Sequence, residues 1–424
     1  MLKNLLRILL VLLATMSLLG LVPPASCGET PEYELHEWGV FTVPRNAAWA
    51  NLDMKAEWAS MPKEFYGQLP GRNLPYNGPV KKPVIYFHAE KPLTLKLNIR
   101  FADGVPTVWW PAVSFPTNTG RHEKVANRKD ENLLTFRPTL IDCAKENHLN
   151  GHAGQNPRKL EVPAGHWVEK LREVKASEVF CEGSRNNGGT RWDSEHFIYY
   201  DGLMRSPPSP KVSRDGSAVV LETESDHDWL DVLVIEREKI GFIIHSSWIG
   251  KIEAGKRTTK VNMPCLGFRG ELETIDMLRT DLVKKLSTAG LNSDEALALA
   301  KVWDKGLFYQ EGLTVFYRIS QETYEKWLPL DAQPAPKKTV RVGLVLHSRL
   351  EPELDARMEK LIANLGAEPL NMRDAAQKEL LKIGGAAFPL LEKASKSEDV
   401  EISKAAQFIL QTLDARSALP PLKE

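Results

Sequence analysis

The chain has 424 residues, with 55 basic and 55 acidic side chains that give a formal net charge of zero. A chain without net charge has no overall field to attract nucleic acid or an anionic membrane surface, which excludes nucleic-acid binding as the main function. The length predicts two or three domains.

The N-terminus has the three parts of a secretory signal. Lys3 and Arg7 precede an apolar run over residues 8–22, and small residues follow, ending at Cys27. This pattern predicts a signal peptide over residues 1–27 and export to the periplasm or the cell exterior. An uncleaved anchor is disfavoured because the run is short for a membrane span. Lipidation of Cys27 ranks below plain cleavage, since Pro24 stands where lipoprotein signals carry an aliphatic residue.

Three cysteines follow the predicted signal. An oxidising compartment permits one disulfide and one free thiol. Cys143 and Cys181 flank a polar, loop-rich stretch and form the predicted pair, which leaves Cys265 free. Sequence alone does not fix the connectivity.

Residues 30–270 show mainly β-strand signals. Apolar and polar residues alternate over residues 93–100, which predicts a strand with four aliphatic side chains on one face. Asp103-Gly104 predicts a tight hairpin turn, with residues 105–110 as the returning strand. Pro83 predicts the start of a strand over residues 84–87. Further strands are predicted at residues 197–200, 219–222, 229–236 and 240–245, and long loops over residues 118–161. Short strands separated by turns favour an antiparallel β-sandwich.

Helical spacing begins near residue 272. The pattern predicts one helix that ends at Gly290 and a second that begins at Asn292, with Glu295 completing a capping box. Strands are expected around residues 313–319 and 340–346, with a short helix between them at residues 324–328. Residues 271–348 are therefore interpreted as a helical hairpin plus strands that complete the body.

The tail, residues 351–415, has helical periodicity throughout. Its pattern around residues 373–376, 389–391 and 402–413 resembles a HEAT-like helical repeat, of the kind appended to many planctomycete proteins. One or two such repeats are too few for a free-standing solenoid, so the tail is expected to be a docking or capping element. The expected fold class is α+β and multidomain: a sandwich body, a helical hairpin and strand subdomain, and this tail.

Segments across the body resemble an uncharacterised family of secreted proteins from environmental bacteria such as planctomycetes and myxobacteria. They are HEWGVFT at residues 36–42, KPVIYF at residues 82–87, and a series from Gly290 through Trp303 to Arg341. The resemblance covers most of residues 33–348. It implies export and a shared β-rich fold, and it implies no activity.

The first candidate site is His36-Glu37-Trp38. The sequence has no Walker loop, no dinucleotide-binding glycine pattern, no nucleophile elbow, no HExxH helix and no paired CxxC site, so a site must be assembled from distant segments. On a strand, His36 and Glu37 would point to opposite faces and could not act together. A structural role is favoured for all three residues.

A metal site is not predicted. His148 and His152 have the spacing of helical metal ligands, and Cys143 and Cys181 could add thiolates. However, the asparagine and glycine residues around the two histidines disfavour a helix there. No cofactor is predicted either.

Three further residues complete the set of candidate binding residues. His196 ends a cluster at residues 191–196 with an acid and a hydroxyl, interpreted as a turn, since triads rarely form between sequence neighbours. Trp110 follows Trp109, and strand alternation sends the two rings to opposite faces, so at least one belongs to the core. His88 is placed at a strand end, with no partner evident from the sequence.

The leading functional hypothesis is a non-catalytic binding or envelope-associated protein, whose partner is a protein or polysaccharide of the envelope. The alternative is a secreted hydrolase acting on envelope or extracellular polymer. Its residues would be drawn from His36, Glu37, His88, His122 and His196. Convergence of three of these side chains would favour the enzyme, and scatter would favour the binding protein.

The separate periodicity of the tail predicts that truncation after about Leu350 leaves the body folded. Thermal unfolding of the truncated chain should stay cooperative, because the predicted body core lies N-terminal to the cut. Circular dichroism melts of the full and truncated chains test this. Loss of a cooperative transition in the truncated chain would show that the tail is part of the body.

Overall fold

The structure is a computed structural model that describes residues 32–44, 61–67, 78–114, 132–141, 157–184, 190–205, 207–238, 243–265 and 270–417. The predicted signal peptide lies outside these residues. The described chain is α+β and consists mostly of strands.

The described strands belong to one large sheet and three small ones. They are β1 (Tyr33–Pro44), β2 (Tyr66–Gly67), β3 (Gly78–Ala89), β4 (Leu93–Thr94), β5 (Lys96–Arg100), β6 (Gly104–Trp110), β7 (Leu133–Phe136), β8 (Pro138–Ile141), β9 (Glu178–Ser184), β10 (Thr190–Glu195), β11 (Ile198–Met204), β12 (Lys211–Asp215), β13 (Ala218–Ser225), β14 (Trp229–Arg237), β15 (Ile244–Ile252), β16 (Gly255–Val261), β17 (Gly312–Ile319), β18 (Leu330–Gln333) and β19 (Lys338–Leu350).

The helices lie against both faces of the large sheet and form the tail. They are α1 (Trp167–Arg172), α2 (Glu271–Thr288), α3 (Ser293–Val302), α4 (Asp304–Phe308), α5 (Gln321–Trp327), α6 (Leu354–Asn364), α7 (Leu370–Ile383), α8 (Phe388–Ala394) and α9 (Val400–Ser417), with a 3₁₀ turn at Gly384–Ala387.

The large sheet has nine strands in the order β15-β14-β17-β19-β1-β3-β11-β6-β2. β1 is the central strand and pairs in parallel with β19 and antiparallel with β3. The other pairings of the described strands are antiparallel. The first strand of the body therefore lies beside a strand from near residue 340, so residues 271–348 contribute to the same sheet.

Both faces of the large sheet are buried. One face packs against the small sheets through side chains such as Leu97, Leu134 and Leu221. The other face packs against α1–α4 through side chains such as Leu171 and Leu282. Strand alternation divides β1 between the two cores, because successive residues point to opposite faces.

The four tail helices pack around a core of their own. Its buried members include Met358, Leu380, Leu391 and Ile409. The backbone N–H of Glu353 donates to the carbonyl oxygen of Val212 on β12 (2.8 Å), where the tail begins. The predicted helices of the tail are confirmed, and the likeness to a HEAT repeat stays a prediction.

The predicted alternation over residues 93–100 is confirmed, since Leu93, Leu95, Leu97 and Ile99 are all buried. The single strand predicted there is wrong, because β4 and β5 belong to different small sheets. The predicted hairpin at Asp103-Gly104 is wrong. β5 pairs with β7 and β18, whereas β6 pairs with β11 and β2. The chain turns at this point, but β6 enters the nine-stranded sheet, to which β5 does not belong. The sheet that a strand joins depends on distant partner strands rather than on the turn.

Other boundaries also differ from the predictions. β3 begins at Gly78 instead of after Pro83. Pro83 lies inside the strand where the pairing with β1 shifts register between Trp38 and Val40, and such a bulge tolerates a residue without an N–H. The predicted loop region contains β7 and β8, and the predicted turn at residues 191–196 is mostly β10.

A buried ion pair joins β1 to β19. Glu37 and Arg341 are register partners, with Nε of Arg341 2.5 Å from Oε2 of Glu37, and neither side chain is exposed. The Tyr200 hydroxyl donates a hydrogen bond to the other carboxylate oxygen of Glu37, Oε1. The guanidinium carbon lies 4.4 Å from the ring centroid of Tyr324. A Cβ on Gly39 would lie 2.7 Å from the Tyr324 hydroxyl, so glycine provides the space for this ring.

Replacing Arg341 by methionine should lower the free energy of unfolding by about 3–5 kcal/mol, because the Glu37 carboxylate would stay buried without its counterion. Adding Glu37→Leu to Arg341→Met should recover much of this loss, since the unpaired charge is then removed as well. Urea unfolding of the two variants and the wild type measures the effect. Additive losses in the double variant would contradict the coupling.

Candidate metal centre

Three side chains of the central strands share the helix-covered face of the large sheet. Glu34 and His36 are two residues apart on β1, so they point to the same face. His88 on β3 lies directly opposite Glu34 in the antiparallel register. Directly opposite residues also point to one face, which brings Glu34, His36 and His88 together.

The fourth side chain comes from the helix above. Glu295 is the third residue of α3 and completes the predicted capping box with Asn292. Its Oε2 accepts a hydrogen bond from the backbone N–H of Asn292 (2.8 Å). The helix packs its Ala296 and Leu299 into the core, and this packing buries Glu295 completely. The capping geometry therefore aims a carboxylate at the sheet.

Both imidazoles donate to the carboxylate of Glu295. Nδ1 of His36 lies 2.9 Å from Oε2, and Nε2 of His88 lies 2.8 Å from Oε1. The two rings are edge to face, with centroids 4.8 Å apart. On its other side, Nε2 of His36 lies 3.3 Å from Oε2 of Glu34. We call His36, His88 and Glu295 the histidine–carboxylate cluster, with Glu34 as its flanking residue.

The charges in the cluster lower the pKa of the carboxyl groups. Burial alone would raise the pKa of Glu295, but hydrogen bonds from His36 and His88 outweigh it and hold this pKa at about 2. Burial also opposes ionisation of Glu34, and His36 and Lys338 together lower its pKa. Both carboxylates are therefore ionised at neutral pH, as metal ligation or a strong hydrogen-bond network requires.

The cluster runs from the interior to the surface. Glu295 is 0% exposed and His36 1% exposed, whereas His88 is 22% and Glu34 38% exposed. A ligand or ion can therefore approach past His88 and Glu34, while the inner two groups are held rigidly by strand and helix.

The donor set fits a transition metal ion. One nitrogen from each histidine and one carboxylate oxygen all lie within 4.8 Å of one another. The two N···O separations of 2.8 and 2.9 Å are about 0.5 Å shorter than the roughly 3.4 Å between neighbouring ligands of a tetrahedral ion with bonds of about 2.0–2.2 Å, so a small outward shift would admit the ion.

Glu34 occupies the position of an outer partner of a metal-bound histidine. A carboxylate that accepts from Nε2–H of His36 would hold the tautomer whose Nδ1 lone pair faces the centre of the cluster once Nδ1 has given up its proton. The backbone N–H of Asn292 orients the Glu295 carboxylate in the same manner. Such outer hydrogen bonds are typical of metal sites, where they set the tautomer and the orientation of each ligand.

Glu37 and Trp38 do not join the cluster. As predicted, Glu37 points to the opposite face from His36, where it pairs with Arg341. Trp38 is fully buried among the residues of the helix-covered core. Both residues therefore have the structural roles that the sequence favours.

Trp110 and His196 lie elsewhere. Trp109 and Trp110 belong to the two opposite cores, and both are buried, so neither ring forms an exposed binding platform. His196 is half-buried and follows β10, where its backbone N–H donates to Oε1 of Glu195 (3.2 Å).

Several predicted residues lie outside the described part of the chain: Cys27, His122, Cys143, His148 and His152. Because Cys143 lies outside the described residues, the disulfide between Cys143 and Cys181 stays a prediction. Cys181 is buried on β9, and Cys265 is exposed. Burial raises the pKa of the Cys181 thiol, which makes it unreactive.

Sequence reasoning did not identify Glu295 as a site residue or as the partner of His88. The capping box identified Glu295 as a helix-start residue, and that was the one signal available. Nothing in the local pattern links residues separated by more than 200 positions, as His88 and Glu295 are. Their meeting depends on how α3 docks on the sheet.

Comparison with protein families, curated proteins and solved structures finds no match for this chain. The class of protein that the fold and the site define is an α+β protein with a histidine–carboxylate cluster. No helix among the described residues is long and apolar enough to cross a membrane.

The cluster predicts a pH dependence of stability in the metal-free protein. The pKa of Glu295 is lowered in the folded state to about 2 from an ordinary value of 4.5, so its stabilising effect is complete above pH 4.5 and is lost as the pH falls toward 2. The loss should be about 3 kcal/mol. Urea unfolding between pH 2 and 6 should show a weaker pH dependence for Glu295→Gln than for the wild type.

Glu273→Gln is the matched control, because Glu273 is an exposed glutamate near the start of the neighbouring helix α2. This variant should keep the pH dependence of the wild type. An unchanged pH profile in Glu295→Gln would show that the cluster does not depend on the ionised carboxylate.

Proposed function

We propose that the protein is an exported, non-catalytic binding protein that holds one divalent transition metal ion in the histidine–carboxylate cluster. The observation that carries this proposal is the convergence of two imidazoles on one buried carboxylate. A buried charge surrounded by two titratable rings is costly to maintain, and hydrophobic replacements of such groups are often neutral or stabilising. Metal binding gives these residues a function that apolar packing could not supply.

The ligand set favours zinc, or a neighbouring transition metal, over magnesium or calcium. Imidazole nitrogen suits zinc, copper and nickel, whereas magnesium and calcium prefer sites made of oxygen ligands alone. The ion would replace the two protons that His36 and His88 now donate to Glu295. Binding should therefore release protons and weaken as the pH falls.

The binding function is favoured over hydrolysis by the positions of the candidate residues. Of the five proposed for a hydrolase, His36 and His88 meet, Glu37 lies on the opposite face and His196 lies in another segment. His122 lies outside the described residues.

One observation favours the alternative of a secreted hydrolase. Three protein ligands with an exposed side leave a coordination position for water, as in catalytic zinc sites. Hydrolysis of p-nitrophenyl acetate by the zinc-loaded protein, abolished in His88→Gln, would support this alternative over simple binding.

The export of the chain and its finer architecture belong to the same proposal. The signal-peptide pattern and the resemblance to secreted proteins support export to the periplasm or exterior. Packing of the large sheet against small sheets supports a sandwich body with the domain bounds given by the sequence. The separate core of the tail supports a HEAT-like element that contacts a protein or polysaccharide of the envelope.

Isothermal titration calorimetry with Zn²⁺ tests the metal site. The wild type should bind one ion per chain and release protons, seen as a dependence of the heat on the buffer. His88→Gln should lose more than the roughly 10–100-fold in affinity that removal of an outer partner costs, since it removes a direct ligand. Glu34→Gln removes an outer partner and should lose about 10–100-fold in Zn²⁺ affinity.

His245→Gln is the matched control, because His245 is 25% exposed and His88 22% exposed. It should bind Zn²⁺ like the wild type. Equal affinity in His88→Gln and the wild type, or no binding by the wild type at neutral pH, would refute the metal site.

A further inference from the structure

A second cluster of charged groups lies around Asp193 and shares no residue with the histidine–carboxylate cluster. Asp193 on β10 is fully buried. Arg158 forms an isolated parallel β-bridge with Asp193. Arg191 precedes Asp193 by two residues on β10, so the two side chains share one face of the strand. Tyr66 and Trp110 lie on the adjacent strands β2 and β6. We call Arg158 and Arg191 the arginine pair.

Asp193 is the acidic partner of both arginines. Its Oδ1 accepts from Nε of Arg158 (3.0 Å), and Nε of Arg191 lies 3.6 Å from the same atom. Its Oδ2 accepts from the hydroxyl of Tyr66 (2.6 Å) and from the backbone N–H of Ala112 (3.1 Å). The carboxylate is thus fully engaged by the groups that surround it.

The charges around Asp193 do not balance. Both guanidinium groups are permanently charged, and within the described chain Asp193 is the one acid that pairs with either. Two positive charges that share one negative charge in a half-buried site leave an excess of one. An additional anion would remove this excess, as arginine clusters do when they bind carboxylate or phosphate groups.

The arginine pair is held in place by aromatic rings. The guanidinium carbon of Arg158 lies 4.6 Å from the ring centroid of Trp110 and 5.2 Å from that of Tyr66. Nη2 of Arg191 donates to the Tyr66 hydroxyl (2.6 Å). A Cβ on Gly183 would lie 3.2 Å from that hydroxyl and 2.8 Å from Cβ of Ala112, so glycine provides the space for this arrangement. Such fixed guanidinium groups lose little entropy when they bind a ligand.

The arginine pair also has donors to spare. Nη2 of Arg158 and Nε of Arg191 are buried and have no hydrogen-bond partner among the described residues. The side chains themselves are 27% and 29% exposed, so each is partly accessible from the surface. We propose that the arginine pair binds an oxyanion, the carboxylate of an acidic sugar or a phosphate group, which supplies the second negative charge.

Isothermal titration calorimetry of the full chain with galacturonate and with inorganic phosphate tests this proposal. The wild type should bind at least one of the two saturably, and affinity should fall as sodium chloride is raised, because the contacts are ionic. Arg158→Gln and Arg191→Gln should each lose at least about 10-fold in affinity, since each removes a charged donor. Binding of galacturonate alone would identify a sugar carboxylate, and binding of phosphate alone a phosphate group.

Lysine variants separate the charge from the fork geometry. Arg158→Lys should lose less than Arg158→Gln but bind more weakly than the wild type, because lysine keeps the charge without the planar fork. Arg214→Gln is the matched control, since Arg214 is an ion-paired arginine on β12 whose side chain is 33% exposed. Thermal melts identify variants that fail to fold. If a glutamine variant of the arginine pair fails to fold, Arg191→Lys is tested in its place. Saturable binding of neither probe, or an equal loss in Arg214→Gln, would overturn the proposal.

Discussion

The polar side chains of β1 depend on one constraint, the burial of this strand on both faces at the centre of the nine-stranded sheet. A buried polar group must find a partner inside the protein, because water is not available to it. His36 and Glu37 are consecutive, so the constraint applies once on each face. On one face the carboxylate of Glu295 meets His36, and on the other Arg341 meets Glu37. The contact of His36 with Glu295 joins β1 to α3, and the ion pair of Glu37 with Arg341 joins β1 to its parallel neighbour β19.

The two proposed sites have a common construction. In each, one fully buried carboxylate, Glu295 or Asp193, forms ion pairs with two basic side chains, of which at least one is partly exposed. The difference lies in the bases. Histidines can give up their protons to a metal ion, whereas arginines keep their charge and attract a second anion. The same buried charge thus prepares one site for a cation and the other for an oxyanion.

Much of the local structure could be predicted from the sequence. Alternation over residues 93–100 correctly identified the buried side chains, and the capping box at Glu295 correctly identified the start of α3. The opposite orientation of His36 and Glu37 followed from strand geometry alone. These features depend on residues within a few positions of one another, where periodicity and capping act. The choice of strand partners does not, and the hairpin predicted at Asp103-Gly104 is absent for that reason.

The sequence by itself determined the α+β class, the periodicity of most elements, the helical tail and the division of β1 between two faces. Only the tertiary structure decided which side chains meet. His88 finds Glu295 and Arg158 finds Asp193 because separate strands and a docked helix bring them together. Local patterns encode the direction in which a side chain points, through backbone geometry. Its partner across the core depends on sheet order and helix docking, which arise from the burial of the whole apolar surface at once.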